Sequence, residues 1–184
     1  MFASVLRNET STRTGIARQF ELTRGEARIV TARGEVPLSQ VQPGDMLLTR
    51  DNGLQPVRRA VTSNAKRRME AVKIAKGAMG NGMPHSDIVL SAHHRVLVTG
   101  ELAALLFDLP EALIEARHLL GLTGVSADQT ATMTHLECDH DEIVLVNGCW
   151  TEVFCAGSAD AAAQHGVRLA ELKAAVAQDA PVGG

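Results

Sequence analysis

A chain of 184 residues with 45% hydrophobic and 21% charged content has the size and balance of one soluble globular domain. At that length a fold buries roughly 70% of the surface its unfolded chain exposes, so neither disulfides nor a structural metal are required. A formal charge of −3, no tyrosine and a single tryptophan leave no basic footprint and few stacking platforms, which excludes nucleic acid as an expected partner.

Cys138, Cys149 and Cys155 all fall in the last third of the chain. An odd number without CxxC spacing is neither a disulfide framework nor a zinc pattern, so reduced thiols are expected. Residues 1–20 are polar, carry Arg7, Arg13 and Arg18, and contain no apolar stretch of the signal-peptide kind. Glu9 and Glu21 interrupt what would otherwise resemble a transit peptide. No apolar run is long enough to span a bilayer. A cytoplasmic protein without membrane contact, cofactor or metal is therefore expected.

In chain order, residues 1–20 read as a flexible N-terminal arm, because Asn8 to Thr14 lacks any apolar period. Short apolar segments separated by turn residues follow. Ala27 to Thr31 is a predicted strand ended by an Arg33-Gly34 turn, and Glu35 to Pro37 is a short extended piece. Pro43-Gly44-Asp45 makes a turn into a strand over Met46 to Arg50. Asn52-Gly53 suits a type I′ hairpin, which pairs that strand with Gln55 to Ser63 and points Val57 and Val61 inward. Lys66-Arg67-Arg68 reads as a solvated charge run in a loop.

Glu70 to Ala75 alternates imperfectly, since Val72 breaks the period. Gly77 to Pro84 is a glycine-rich loop without the lysine of a phosphate cradle. Strands over Asp87 to Leu90 and Arg95 to Val98 flank Ser91-Ala92-His93-His94. Leu102 to Phe107 fits one helical turn or a loop. Thr130 to Glu137 and Glu142 to Val146 are strands, and a second Asn-Gly at Asn147-Gly148 returns the chain into Cys149 to Phe154. A two-residue loop there sets Val146 opposite Cys149 and His140 opposite Cys155. From Ser158, a plausible N-cap, Leu169, Leu172 and Val176 share a helical stripe. The pattern is an all-β domain with a C-terminal helix.

Three segments resemble one family in the expected order. Gly34 to Pro56, with its Pro-Gly-Asp turn and Leu-Thr-Arg-Asp-Asn-Gly hairpin, is similar to the opening half of bacterial Hint domains, the fold of inteins and hedgehog autoprocessing domains. Gly77 to Gly82 with Leu90 to Val98 is similar to their central block, and Glu142 to Glu152 to their closing hairpin. By resemblance Pro110 to Leu120 is partly extended despite its helical spacing. The resemblance implies a horseshoe-like β fold over residues 21–156, with a helix and tail over 157–184.

It also implies a chemistry. In active members a cysteine at the first position attacks the carbonyl just upstream, and a Ser/Thr-x-x-His motif protonates the leaving amide nitrogen. Ser91 and His94 match that motif. Aligning Gly25 and Gly34 with the family pattern puts Glu21 at the nucleophile position, where a carboxylate would form an anhydride less stable than the amide. Thr23 is two residues out of place, too far for near-attack geometry. Asp141 stands where relatives carry a histidine, and adjacent His140 points to the other face of a strand. No asparagine follows Asn147, so terminal cyclisation and splicing are not expected.

Each of these residues also has a structural reading. His94 at a strand start can be a hydrogen-bonded core histidine, and Ser91 can bond the nearby backbone. His85, His93, His118 and His135 show no ligand spacing and read as surface or packing residues. Trp150 and Phe154 read as core. Three functional expectations stay open. The first is a self-processing relative, inactive or impaired at Glu21, that handles its own N-terminal segment. The second is a non-catalytic module that holds a peptide or protein partner. The third is residual self-cleavage with Thr23 or water as nucleophile and His94 as acid.

Overall fold

The computed structural model describes residues 22–23 and 27–155. The expected arm over 1–20, Glu21 and the helix expected from Ser158 lie outside these residues. Twelve strands are present among the described residues: β1 (Leu22–Thr23), β2 (Arg28–Thr31), β3 (Gly34–Pro37), β4 (Met46–Leu48), β5 (Leu54–Pro56), β6 (Arg59–Ile74), β7 (Ile88–Ser91), β8 (Arg95–Thr99), β9 (Glu111–Glu115), β10 (Val125–Cys138), β11 (Glu142–Val146) and β12 (Cys149–Cys155). One helix, α1 (Gly100–Phe107), sits between β8 and β9. No helix among the described residues is long and apolar enough to cross a membrane.

The strands form one open sheet in the order β1-β7-β6-β10-β12-β11-β2-β4-β5, with β3 beside β2 and β8 joined to β12 and β9. Pairing is antiparallel except between β10 and β12, which run parallel. Ile29, Leu47, Val57, Ile74, Ile88, Leu90, Val96, Ile114, Leu119 and Val144 are all but inaccessible and belong to one hydrophobic core. Alternation is clean where one face meets this core: β11 buries Glu142, Val144 and Val146 and half-exposes the residues between. In β8, Val96, Leu97 and Val98 are buried in succession, because β8 is packed by β12, β9 and α1 together.

The two Asn-Gly signals part company. At Asn147-Gly148 both residues have positive φ (46° and 83°), and Val146 pairs with Cys149, as a type I′ two-residue loop requires. At Asn52-Gly53 only Gly53 is left-handed, and Leu48 pairs with Leu54 across a five-residue connection closed by Thr49 N–H to Gly53 O at 2.8 Å. Asn52 is drawn elsewhere, its amide donating to both Glu142 carboxylate oxygens at 3.0 and 3.1 Å. A distant carboxylate therefore overrides the local turn preference.

Val57 is buried as expected, but it lies between β5 and β6, and Val61 is 38% exposed. Lys66-Arg67-Arg68 is exposed as expected, yet within β6 and not in a loop. The β6–β10 register jumps there from Asn64 opposite Thr132 to Met69 opposite Thr130, so the charged run occupies the break in the ladder. Segment Leu102 to Phe107 belongs to a two-turn helix ended by Asp108 in the left-handed region. Segment Pro110 to Leu120 divides into β9 and a 3-10 turn over Ala116–Leu119, which reconciles its helical spacing with the extended expectation.

Gly148 is the glycine the fold can least change. A Cβ there would meet Met83 Sδ at 2.5 Å and His85 Nε2 at 2.7 Å, and its φ is +83°. Gly148→Ala should therefore lower stability by about 2 kcal/mol or more, read from chemical unfolding.

Candidate functional site

The turn Ser91-Ala92-His93-His94 joins β7 to β8 and is closed by His94 N–H donating to Ser91 O at 2.9 Å. The 3-10 segment pins its far side, with Ala116 N–H to His94 O at 2.7 Å and Arg117 N–H to Ala92 O at 3.0 Å. Ser91 is half-buried opposite Ala71 of β6, while the His94 side chain is 1% exposed. The motif thus sits in a turn whose backbone is held from both sides.

Strand β1 reaches the same turn. Leu22 pairs with Leu90 and Thr23 with Val89, in antiparallel register, and Leu22 also faces Thr134 of β10. The start of β1 therefore lies beside the end of β7 that leads into Ser91.

On its inner side His94 meets β12. Its Nε2 is hydrogen-bonded to Thr151 Oγ1, and the Thr151 hydroxyl donates to Arg95 O at 3.1 Å. A hydroxyl has one proton, and that proton is committed to the carbonyl. Nε2 must then be the protonated ring nitrogen and Thr151 the acceptor. Burial, reinforced by the nearby Arg95 charge, pushes the imidazole down to about 3, so the ring is neutral near pH 7. A neutral imidazole held in this tautomer must take a proton before it can give one, the order a proton relay requires. Thr151→Val should remove the acceptor and release the tautomer. The expected result is a change in the His94 ring 15N shifts, with the other histidines unmoved.

A buried ion pair lies directly behind. Arg95 is ion-paired with Glu152, its Nη2 donating to Oε1 at 2.7 Å and its Nε standing 2.5 Å from Oε2, with side-chain exposures of 12% and 7%. The guanidinium also sits 5.3 Å from the centroid of the Phe154 ring. Burial pushes the Glu152 carboxyl up to about 7; Arg95 pulls against this and Asp141 adds to it. Asp141 itself accepts a hydrogen bond from Cys155 N–H at 2.9 Å. The expected His140–Cys155 pairing is not made, since β11 begins only at Glu142, opposite Val153. Among the described residues no three or more His, Cys, Asp or Glu gather into a metal-holding group.

Outside the Ser91–His94 turn runs an open groove of about 910 Å³, lined by Ala92, Arg68, Glu70, Arg117, His118 and Asp128 among others. Its walls mix both signs of charge.

A family model described as "Hint domain" matches residues 22–158. The chain belongs to the Hint domain family. No curated protein sequence matches this Hint domain. Solved structures similar to it include the gp41-1 intein (14% identity, TM-score 0.45, covering 72% of this chain and 96% of the intein). A DnaB intein from Synechocystis sp. PCC 6803 is similar as well (14% identity, TM-score 0.44, covering 72% and 98%). So is a bacterial intein-like domain from Clostridium thermocellum (15% identity, TM-score 0.45, covering 74% and 97%).

The Hint match opens at Leu22, and from Phe20 to Ala27 the sequence contains neither cysteine nor serine. Of the sequence-derived site residues, Ser91 and His94 share one turn, Asp141 is engaged at the end of β12, and Glu21 lies outside the described residues. Arg95, Thr151 and Glu152 are missing from the sequence-derived set. A signal existed for them: Thr151-Glu152 interrupts the otherwise apolar Cys149 to Cys155 strand, and a charge inside such a strand needs a buried partner.

Proposed function

We propose that this Hint domain keeps the histidine arm of a self-processing site but does not cleave itself, because no nucleophile stands at its first position. The observation that carries the reading is the coexistence of the rigid Ser91–His94 turn with a β1 entry segment lacking cysteine and serine. In this reading Glu21 takes the nucleophile position and Asp141 the position of the family's later histidine. A carboxylate at the first position cannot replace a thiolate, because the anhydride it would form reverts to the amide. Thr23, paired at Val89, is displaced along β7 from the residue preceding Ser91.

The groove beside the turn favours a second reading, in which the scaffold holds a peptide or protein partner without chemistry. Intact mass of freshly purified full-length protein separates self-cleavage from both. A new N-terminus between Phe20 and Arg24 would overturn the non-cleaving reading, and an unchanged mass with and without added thiol is the expected result.

A further inference from the structure

We propose that Cys138 and Cys155 are an oxidation-sensitive thiol pair, which a peroxide converts to a disulfide across the β10–β12 junction. All three cysteines are thiols in the structure. Cys138 and Cys155 are direct register partners in the parallel β10–β12 ladder, so both side chains leave the same face of the sheet. Neighbouring strands lie about 4.8 Å apart, inside the Cα separation a disulfide accepts, and the Cβ atoms must close by only about 1 Å. Each cysteine is the last residue of its strand, where that closure disturbs no further ladder bonds.

The two thiols differ in access. Cys155 is half-buried, whereas Cys138 is 1% exposed and burial pushes its thiol up to about 11. Cys155 therefore reacts first. Its thiolate sulfur attacks a peroxide oxygen, the O–O bond breaks, and a sulfenic acid and hydroxide result. The Cys138 sulfur then attacks the sulfenic sulfur, the S–O bond breaks, and its proton leaves with the hydroxyl as water. Both sulfurs are oxidised and the peroxide is reduced to two water molecules. The link encloses the loop that carries Asp141, whose carboxylate already holds Cys155 N–H. Cys149, at the other end of β12 and buried opposite Val146, takes no part.

Full-length protein treated with hydrogen peroxide, denatured with an alkylating agent and cut with a glutamyl endopeptidase decides the matter. Glu137, Glu142 and Glu152 place the three cysteines on separate peptides. The expected product is a Cys138–Cys155 linked pair, lighter by two hydrogens, with Cys149 alkylated; Cys155→Ser should leave Cys138 alkylatable. Sulfinic acid on Cys155 beside an alkylated Cys138, or a link through Cys149, would overturn the proposal. The wild-type map decides it even if the variant does not fold.

Discussion

Above about pH 8, where Glu152 is ionised, Arg95→Ala should destabilise the domain by about 3–5 kcal/mol, because it strands the carboxylate in the interior. At lower pH the carboxyl takes a proton and the loss shrinks. Both side chains are nearly inaccessible, joined by one charge-assisted hydrogen bond, Nη2 to Oε1 at 2.7 Å, and an ion-pair contact of 2.5 Å between Nε and Oε2. The substitution also removes the cation from the Phe154 ring. For a domain of this size the loss corresponds to a fall in Tm of roughly 10–20 °C. Replacing both partners with apolar residues, as in Arg95→Met with Glu152→Leu, should cost much less, because no charge is left unpaired. Denaturant titration of the three variants above about pH 8 checks this. A loss below about 1 kcal/mol for Arg95→Ala would mean the pair is screened like a surface salt bridge.

Stability should respond to pH through two buried groups of opposite sign. His94 has a folded pKa of about 3, below its ordinary 6.5, so the unfolded chain binds the extra proton. Its contribution is present above pH 6.5 and is lost as pH falls toward 3, amounting to about 4–5 kcal/mol. Glu152 has a folded pKa of about 7, above its ordinary 4.5, so the folded chain binds the extra proton. Its contribution is present below pH 4.5 and is lost as pH rises through 7, amounting to about 3 kcal/mol. Between pH 4.5 and 6.5 the two oppose one another and stability changes little on their account. Below pH 4.5 only His94 still titrates, and the domain should lose stability steeply. His94→Gln isolates that share: the stability difference between wild type and variant should shrink from pH 6.5 to pH 4. A difference independent of pH over that range would show that His94 is not a buried neutral imidazole.

The strand plan was legible because one-sided burial leaves a period of two and because turns need particular residues. β2, β4, β7, β8, β11 and the Asn147-Gly148 hairpin all follow from those two signals. What misled were long-range effects. Glu142 captures Asn52 from 90 positions away and undoes a local turn preference. Val61 is exposed because β6 extends beyond the core, a matter of sheet outline that periodicity does not encode. The candidate site was half legible. Ser91 and His94 carry a local motif, but the network behind them comes from β12, more than fifty residues later, and only three-dimensional pairing joins Thr151 and Glu152 to that turn. The Cys138–Cys155 partnership has the same origin, since a parallel register between nonadjacent strands leaves no local pattern.

In the proposed reading this Hint domain lacks its nucleophile while its histidine arm is intact. The most direct test of that reading is the intact mass of the wild-type chain beside Glu21→Cys, each incubated with and without a small thiol, with Leu22→Cys as the one-residue shift. A wild type that stays whole, with thiol-dependent release of residues 1–20 from Glu21→Cys, is the predicted result. Cleavage of the wild type, or a Glu21→Cys chain as inert as the wild type, would contradict the account.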